Sequence, residues 1–525
     1  MFKTYYLLGS MTLFFLSGCT GLPLAPDEYP TENPDEIKRY DEEIKNHVIA
    51  IGKDGELREP LTGEEMDDPE KYLDNIVGKI KEHARNNTDG NAKLLIYIHG
   101  GLNAEAGALK RALENYRLIK ANGQYPVFIN WNSEGIRSYG SHLGRIRQGE
   151  VRPIRAKLTS PLYLLTDVAA SLVTAPKAWF VTSEHLIDSL TFRANIDNEL
   201  SSQRKIHNQN HKELVHITKG EKRSNFFRHL QWAGTIPVKV ITTPFAYTLA
   251  KPAWDIMLRR TSTLFYTPCD LKKISTDSDE CKPEAFSEEK AGGVIELKPG
   301  NGALYRFLSA LEKGLEANTL TPKVKITLIG HSMGAIVVND IVNLGLNLTY
   351  KNIVHMASAD SIENLLNKVV PYIDCSLEGT CNNQGGKEKN DVNFYSLYLH
   401  PDNENREASG WGTIPSGSLL TWIDSMYTVP KTVLDKRSGR WDNMTRAINL
   451  IPDTIKDSMH FTIFDIEKRN AYGPDELKKL NICKPPEDCE GDKLYSTAQK
   501  HGDFGDLPFW LPEVWKGTHL PAQSK

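Results

Sequence analysis

Short apolar runs alternate with helix-periodic stretches in two parts of this chain, and that alternation leaves few folds open. Lys93-Leu-Leu-Ile-Tyr-Ile98 is apolar almost throughout and bounded by polar turns, the pattern of a strand buried on both faces. Similar runs lie at 47–51, 126–131, 324–329, 352–356 and 392–399. Helical spacing fills 68–86, 104–121, 304–315 and 333–344, and a further helix is expected after Ser361. The pattern predicts the α/β class: a doubly wound, mainly parallel sheet with helices on both faces. Between Arg137 and about Gly300 the alternation stops, so a large, mostly helical cap insertion is expected within a domain spanning 46–525.

The chemistry is concentrated in Gly330-His331-Ser332-Met333-Gly334. The G-x-S-x-G pattern is weak by itself, but here it directly follows an apolar strand and opens an apolar helix. That is the setting of a nucleophile elbow, in which glycines let the chain turn sharply and lift a serine Oγ clear of the sheet. The strand ending at Ile98 runs into His99-Gly100-Gly101, where the absence of side chains lets backbone N–H groups approach a developing oxyanion. Gly101 and Met333 are the expected oxyanion donors.

With Trp131-Asn-Ser-Glu-Gly135 after the next strand, these segments resemble the α/β-hydrolase superfamily, nearest its lipase- and esterase-like bacterial members. The likeness covers 93–137 and 320–405, weakens toward the C-terminus and does not include the insertion. It implies a Ser–acid–His triad in that chain order. Ser332 is then the nucleophile. Asp402, just past strand 392–399, is the expected acid, with Asp360 and Glu404 as alternatives. Of the downstream histidines, His501 lies in a polar loop late in the chain and is the expected base, ahead of His460. The implied reaction is hydrolysis of a lipid or other acyl ester through an acyl-enzyme. No metal or organic cofactor is expected. Thioesterases, peptidases and acyltransferases share the fold, and a non-catalytic interaction lipoprotein is the alternative of a different class.

The N-terminus has Lys3, a short apolar run from Tyr5 to Phe15, and then Leu16-Ser-Gly-Cys19. The run is too short to cross a bilayer core of about 30 Å. It resembles the lipobox of bacterial lipoproteins, which implies a signal peptide over 1–18 and a lipid on Cys19 as membrane anchor. Thr20 in place of Asp favours an outer-membrane lipoprotein. Residues 19–45, with four prolines among acidic residues, read as an extended tether. Six further cysteines fall into close pairs, Cys269/Cys281, Cys375/Cys381 and Cys483/Cys489, and an exported protein predicts three local disulfides. With 63 basic and 67 acidic residues the chain lacks the basic surface of a nucleic-acid binder. Its mean hydropathy of −0.42 excludes a polytopic membrane protein. Within the insertion, 161–180 and 236–257 are apolar but interrupted by Pro and charge, so neither is expected to be a transmembrane helix. They are expected to roof the Ser332 pocket, with Trp179 and Trp254 among the aromatic residues available to bind acyl chains.

Overall fold

The computed structural model describes residues 22–87, 92–147, 150–190, 196–211, 213–218, 236–267, 300–316, 324–381, 391–407, 417–464 and 497–517. Cys19 and His519 lie outside them.

The strands are β1 (Val48–Ile51), β2 (Leu57–Arg58), β3 (Lys93–Ile98), β4 (Gln124–Trp131), β5 (Ile146–Arg147), β6 (Glu150–Val151), β7 (Val215–Ile217), β8 (Lys325–His331), β9 (Tyr350–Met356), β10 (Asn393–Tyr398) and β11 (Met459–Ile463). Nine of them form one mixed, mostly parallel sheet in the order β2-β1-β4-β3-β8-β9-β10-β11-β7, with helices on both sides; β5 and β6 pair separately. The α/β class expected from the alternation is therefore present. Its cause is visible in the burial: β4 is buried at every residue, and β3 and β8 at all but the first. Such strands need helical cover on both faces.

The chain divides into two compact units: 1–159, 255–326 and 344–349 form the first, and 160–254, 327–343 and 350–525 the second. In the first, β4 pairs parallel with both β1 (Val48 opposite Phe128) and β3 (Leu94 opposite Tyr125). The helix Pro69–Asn86 buries Leu73, Ile76, Val77 and Ile80 at helical spacing, and the helix Ala303–Glu316 buries Leu304, Phe307, Leu308 and Leu311. The expected tether is not extended throughout. Pro34–Ile44 is a helix, because Asn33 caps it by accepting from the Asp35 N–H, Pro34 fits its first turn, and Tyr40 and Ile44 bury together.

In the second unit β9, β10, β11 and β7 are parallel, with Ile353 opposite Phe394, Phe394 opposite Met459, and Phe461 opposite Val215. β7 comes from the insertion, so that segment is not purely a helical cap: it contributes the edge strand. The insertion also holds the helices Pro153–Leu190 and Ile236–Thr263. Their apolar residues go to different places. Trp254, Ile256 and Met257 are buried, whereas Leu162, Leu165, Leu172 and Val173 are each more than 60% exposed and Trp179 is 42% exposed. The 161–180 stretch therefore does not enclose an acyl-binding roof.

Of the three expected disulfides, Cys375–Cys381 is formed at the end of the helix Val370–Glu378. The other two expected pairs, Cys269 with Cys281 and Cys483 with Cys489, lie outside the described residues.

Candidate active site

Ser332 follows β8 with φ of 52°, in the left-handed region, and the helix Gly334–Asn343 begins two residues later. A Cβ on Gly330 would lie 2.6 Å from the Ala335 nitrogen, so only glycine admits this turn. The elbow is pinned on both sides: the Ser332 N–H donates to the Met356 carbonyl at 2.8 Å, and the Ala359 N–H donates to the Ser332 carbonyl at 3.0 Å. Holding a non-glycine residue at positive φ is costly, and the bonds to the end of β9 supply the constraint.

His501 opens a short 3₁₀ turn, His501–Asp506. The Asp503 carboxylate shapes its entry by accepting from the N–H groups of Gln499 (2.9 Å) and Lys500 (3.0 Å). The turn delivers the imidazole to the elbow, with His501 Nε2 2.8 Å from Ser332 Oγ. The two residues expected to be nucleophile and base are thus brought together. Both are buried, and burial pushes the His501 imidazole down to about 4, keeping the ring neutral at physiological pH. A neutral ring with a bare Nε2 can accept the serine proton.

The backbone of His501 is gripped at both ends. Its N–H donates to Glu407 Oε2 at 2.8 Å, and its carbonyl accepts from His331 Nε2 at 3.0 Å. The two imidazoles lie 5.3 Å apart. His331 thus has a role of its own at the variable position of the elbow motif. Sequence reasoning missed Glu407; the signal available for it was a run of three carboxylates after β10. Burial raises Glu407 to about 7, although the His501 N–H favours its ionised form.

The expected acid is not at the base. Asp402 lies in the short helix Pro401–Arg406, and its N–H donates to the His400 ring at 3.2 Å. Among the described residues His501 Nδ1 has no hydrogen-bond partner. Local capping explains the difference: His400 caps this helix, and its first turn holds Asp402 there. Glu404 is committed elsewhere, accepting from the Ser418 hydroxyl with Arg440 4.0 Å away, and burial raises it to about 8. Asp360 is occupied by the amides of Asn339 and Asn364, both at 2.7 Å, and by the Ser361 N–H. His460 stacks on Tyr395 and faces the Glu213 carbonyl, away from any role as base for Ser332.

Among the described residues the Met333 N–H donates to no backbone acceptor, which leaves it free beside the nucleophile. Gly101 belongs to the first unit. There the Trp131 indole donates to the His99 carbonyl at 3.0 Å, and the Ser133 hydroxyl donates to the Gly100 carbonyl at 3.1 Å. The His-Gly-Gly turn and the Trp-Asn-Ser-Glu-Gly segment therefore hold each other in place. Among the described residues no group of three His, Cys, Asp or Glu side chains is placed to bind a metal ion. No protein-family model, curated protein or solved structure matches the chain.

Proposed function

We propose that the protein is a serine hydrolase of the α/β-hydrolase type that cleaves carboxylic esters. The observation that carries this reading is the 2.8 Å contact between Ser332 Oγ and His501 Nε2 at a left-handed turn between a buried strand and a helix. Ser332 Oγ attacks the acyl carbonyl carbon while its proton passes to His501 Nε2. The Met333 N–H stabilises the oxyanion. As the tetrahedral intermediate collapses, the ester C–O bond breaks and His501 returns the proton to the leaving oxygen. Water, deprotonated by His501, then attacks the acyl-enzyme and releases the acid and Ser332.

His331 and Glu407 act as positioning residues through the two backbone bonds to His501. Glu407 is bonded to the His501 backbone N–H and not to Nδ1, so it positions the base residue without taking the triad-acid role expected of Asp402. The strand order also supports the reading: Ser332, the 401–407 segment and His501 follow β8, β10 and β11 respectively, in the Ser–acid–His order. The leader and Cys19 support a lipid-anchored protein at an outer membrane, with a lipid or other acyl ester as substrate. The test is a panel of acyl esters of increasing chain length against the parent and Ser332→Ala chains. Turnover of at least one ester that disappears with Ser332 is expected; equal turnover by both chains removes the reading.

A further inference from the structure

Among the described residues, the helix Pro153–Leu190 holds the one candidate stretch long and apolar enough to cross a membrane. Within Pro153–Lys177 the most apolar window of 18 residues has a mean hydropathy of 1.3, yet only 11% of that window is buried. Two ordinary sources of such a stretch do not apply. A core helix would be mostly buried, and a signal sequence would stand at the N-terminus.

The exposed apolar residues share one face of the helix. Leu158, Leu162, Leu164, Leu165, Leu172 and Val173 are all exposed, and of the stretch only Ala156, Ser171 and Ala175 are buried. At 100° per residue the exposed leucines and valine occupy about half of the helix circumference, with Thr159, Tyr163, Asp167 and Thr174 on the opposite half, and a face that wide can lie in the acyl region of a bilayer. Charge placement selects lipid. Arg152, Arg155 and Lys157 stand at one end and Lys177 at the other, and Asp167 is the only charge between Lys157 and Lys177. At 1.5 Å per residue that interval is about 30 Å, the thickness of bilayer hydrocarbon. Cations at such boundaries reach lipid phosphates, and Trp179 and Phe180 stand where aromatic residues favour the interface. Pro161 and Pro176 inside the helix are tolerated in membrane helices.

We propose that residues 158–176 bury in the hydrocarbon of a lipid bilayer, giving the protein a second membrane contact separate from its N-terminus. The full chain is bound to vesicles of phosphatidylethanolamine and phosphatidylglycerol carrying brominated acyl chains, in parallel with Leu165→Trp and Trp179→Phe chains. The emission added by Leu165→Trp should fall at least about twofold on brominated relative to plain vesicles, and should stay quenched in 1 M salt, which removes purely electrostatic binding. Adding Leu158→Asp and Leu172→Asp to Leu165→Trp should abolish that quenching. These side chains are exposed, and an unchanged thermal transition without lipid checks that the variant folds. Unquenched emission from position 165 on a vesicle-bound chain overturns the proposal, whatever holds the N-terminus there. Quenching that survives both aspartates overturns it as well.

Discussion

His501 is fixed from three directions: Ser332 Oγ at its ring, Glu407 at its N–H and His331 at its carbonyl. Glu407 titrates near 7 and His501 near 4, and this separation makes the two roles distinguishable. An ionised Glu407 is the stronger acceptor for the His501 N–H, so kcat should rise as pH increases through about 7. Glu407→Gln should remove that step, lower kcat by about tenfold and leave KM nearly unchanged. Asp402→Asn should leave the step in place. A pH–rate profile of the three chains decides between them. A second residue-scale prediction concerns strain. Ser332 is held at φ of 52°, a region glycine occupies freely. Ser332→Gly should therefore be inactive yet unfold no more readily than the parent, with a gain of up to about 1 kcal/mol in denaturant titration.

At the scale of elements, the strand–turn–helix around Ser332 depends on Gly330. A methyl there meets the backbone of Ala335 and Gly334, not a flexible side chain that could move aside. Gly330→Ala should cost about 1–3 kcal/mol and disable the elbow, as urea unfolding together with an activity assay would show. This element was legible in the sequence because local rules fix it: an apolar run, two glycines and an apolar helix all point to one conformation. The same holds for β3, whose observed range coincides with the Lys93–Ile98 run. The β7 strand was not legible. Three residues inside a long insertion carry no periodicity, and its place beside β11 is set by tertiary pairing. The helix Pro34–Ile44 did have a local signal in Asn33-Pro34-Asp35-Glu36, but four prolines in the segment suggested an extended chain.

Over the whole molecule, buried ionisable groups set the response to pH. Burial lowers His47, His99 and His501 to about 4 and His355 to about 3, below the value of about 6.5 in an unfolded chain. Between about pH 4 and 6.5 the unfolded chain therefore binds more protons, and the stability these four contribute is lost as pH falls through that window. Glu404 and Glu407 are raised, to about 8 and about 7, so the folded chain holds their protons and their contribution is lost as pH rises from about 4.5 to 8. His83, His207, His216 and His460 are lowered by burial as well and act with His47, His99, His355 and His501, so stability should peak near neutral pH and fall more steeply toward acid. Thermal melts from pH 4.5 to 8.5 check this; a transition that rises steadily toward pH 4.5 contradicts it. The fold class was readable because it follows from summed periodicity. The partner of the base was not, because which carboxylate reaches His501 depends on how 401–407 and 497–506 meet, a contact between segments far apart in sequence. The most direct test of the account is active-site labelling of the full chain with a fluorophosphonate probe. We predict one adduct per chain, located on Ser332, absent from Ser332→Ala and slowed at least about a hundredfold in His501→Ala. Labelling of another serine, or equal labelling of Ser332 with and without His501, contradicts the assignment of Ser332 and His501 as nucleophile and base.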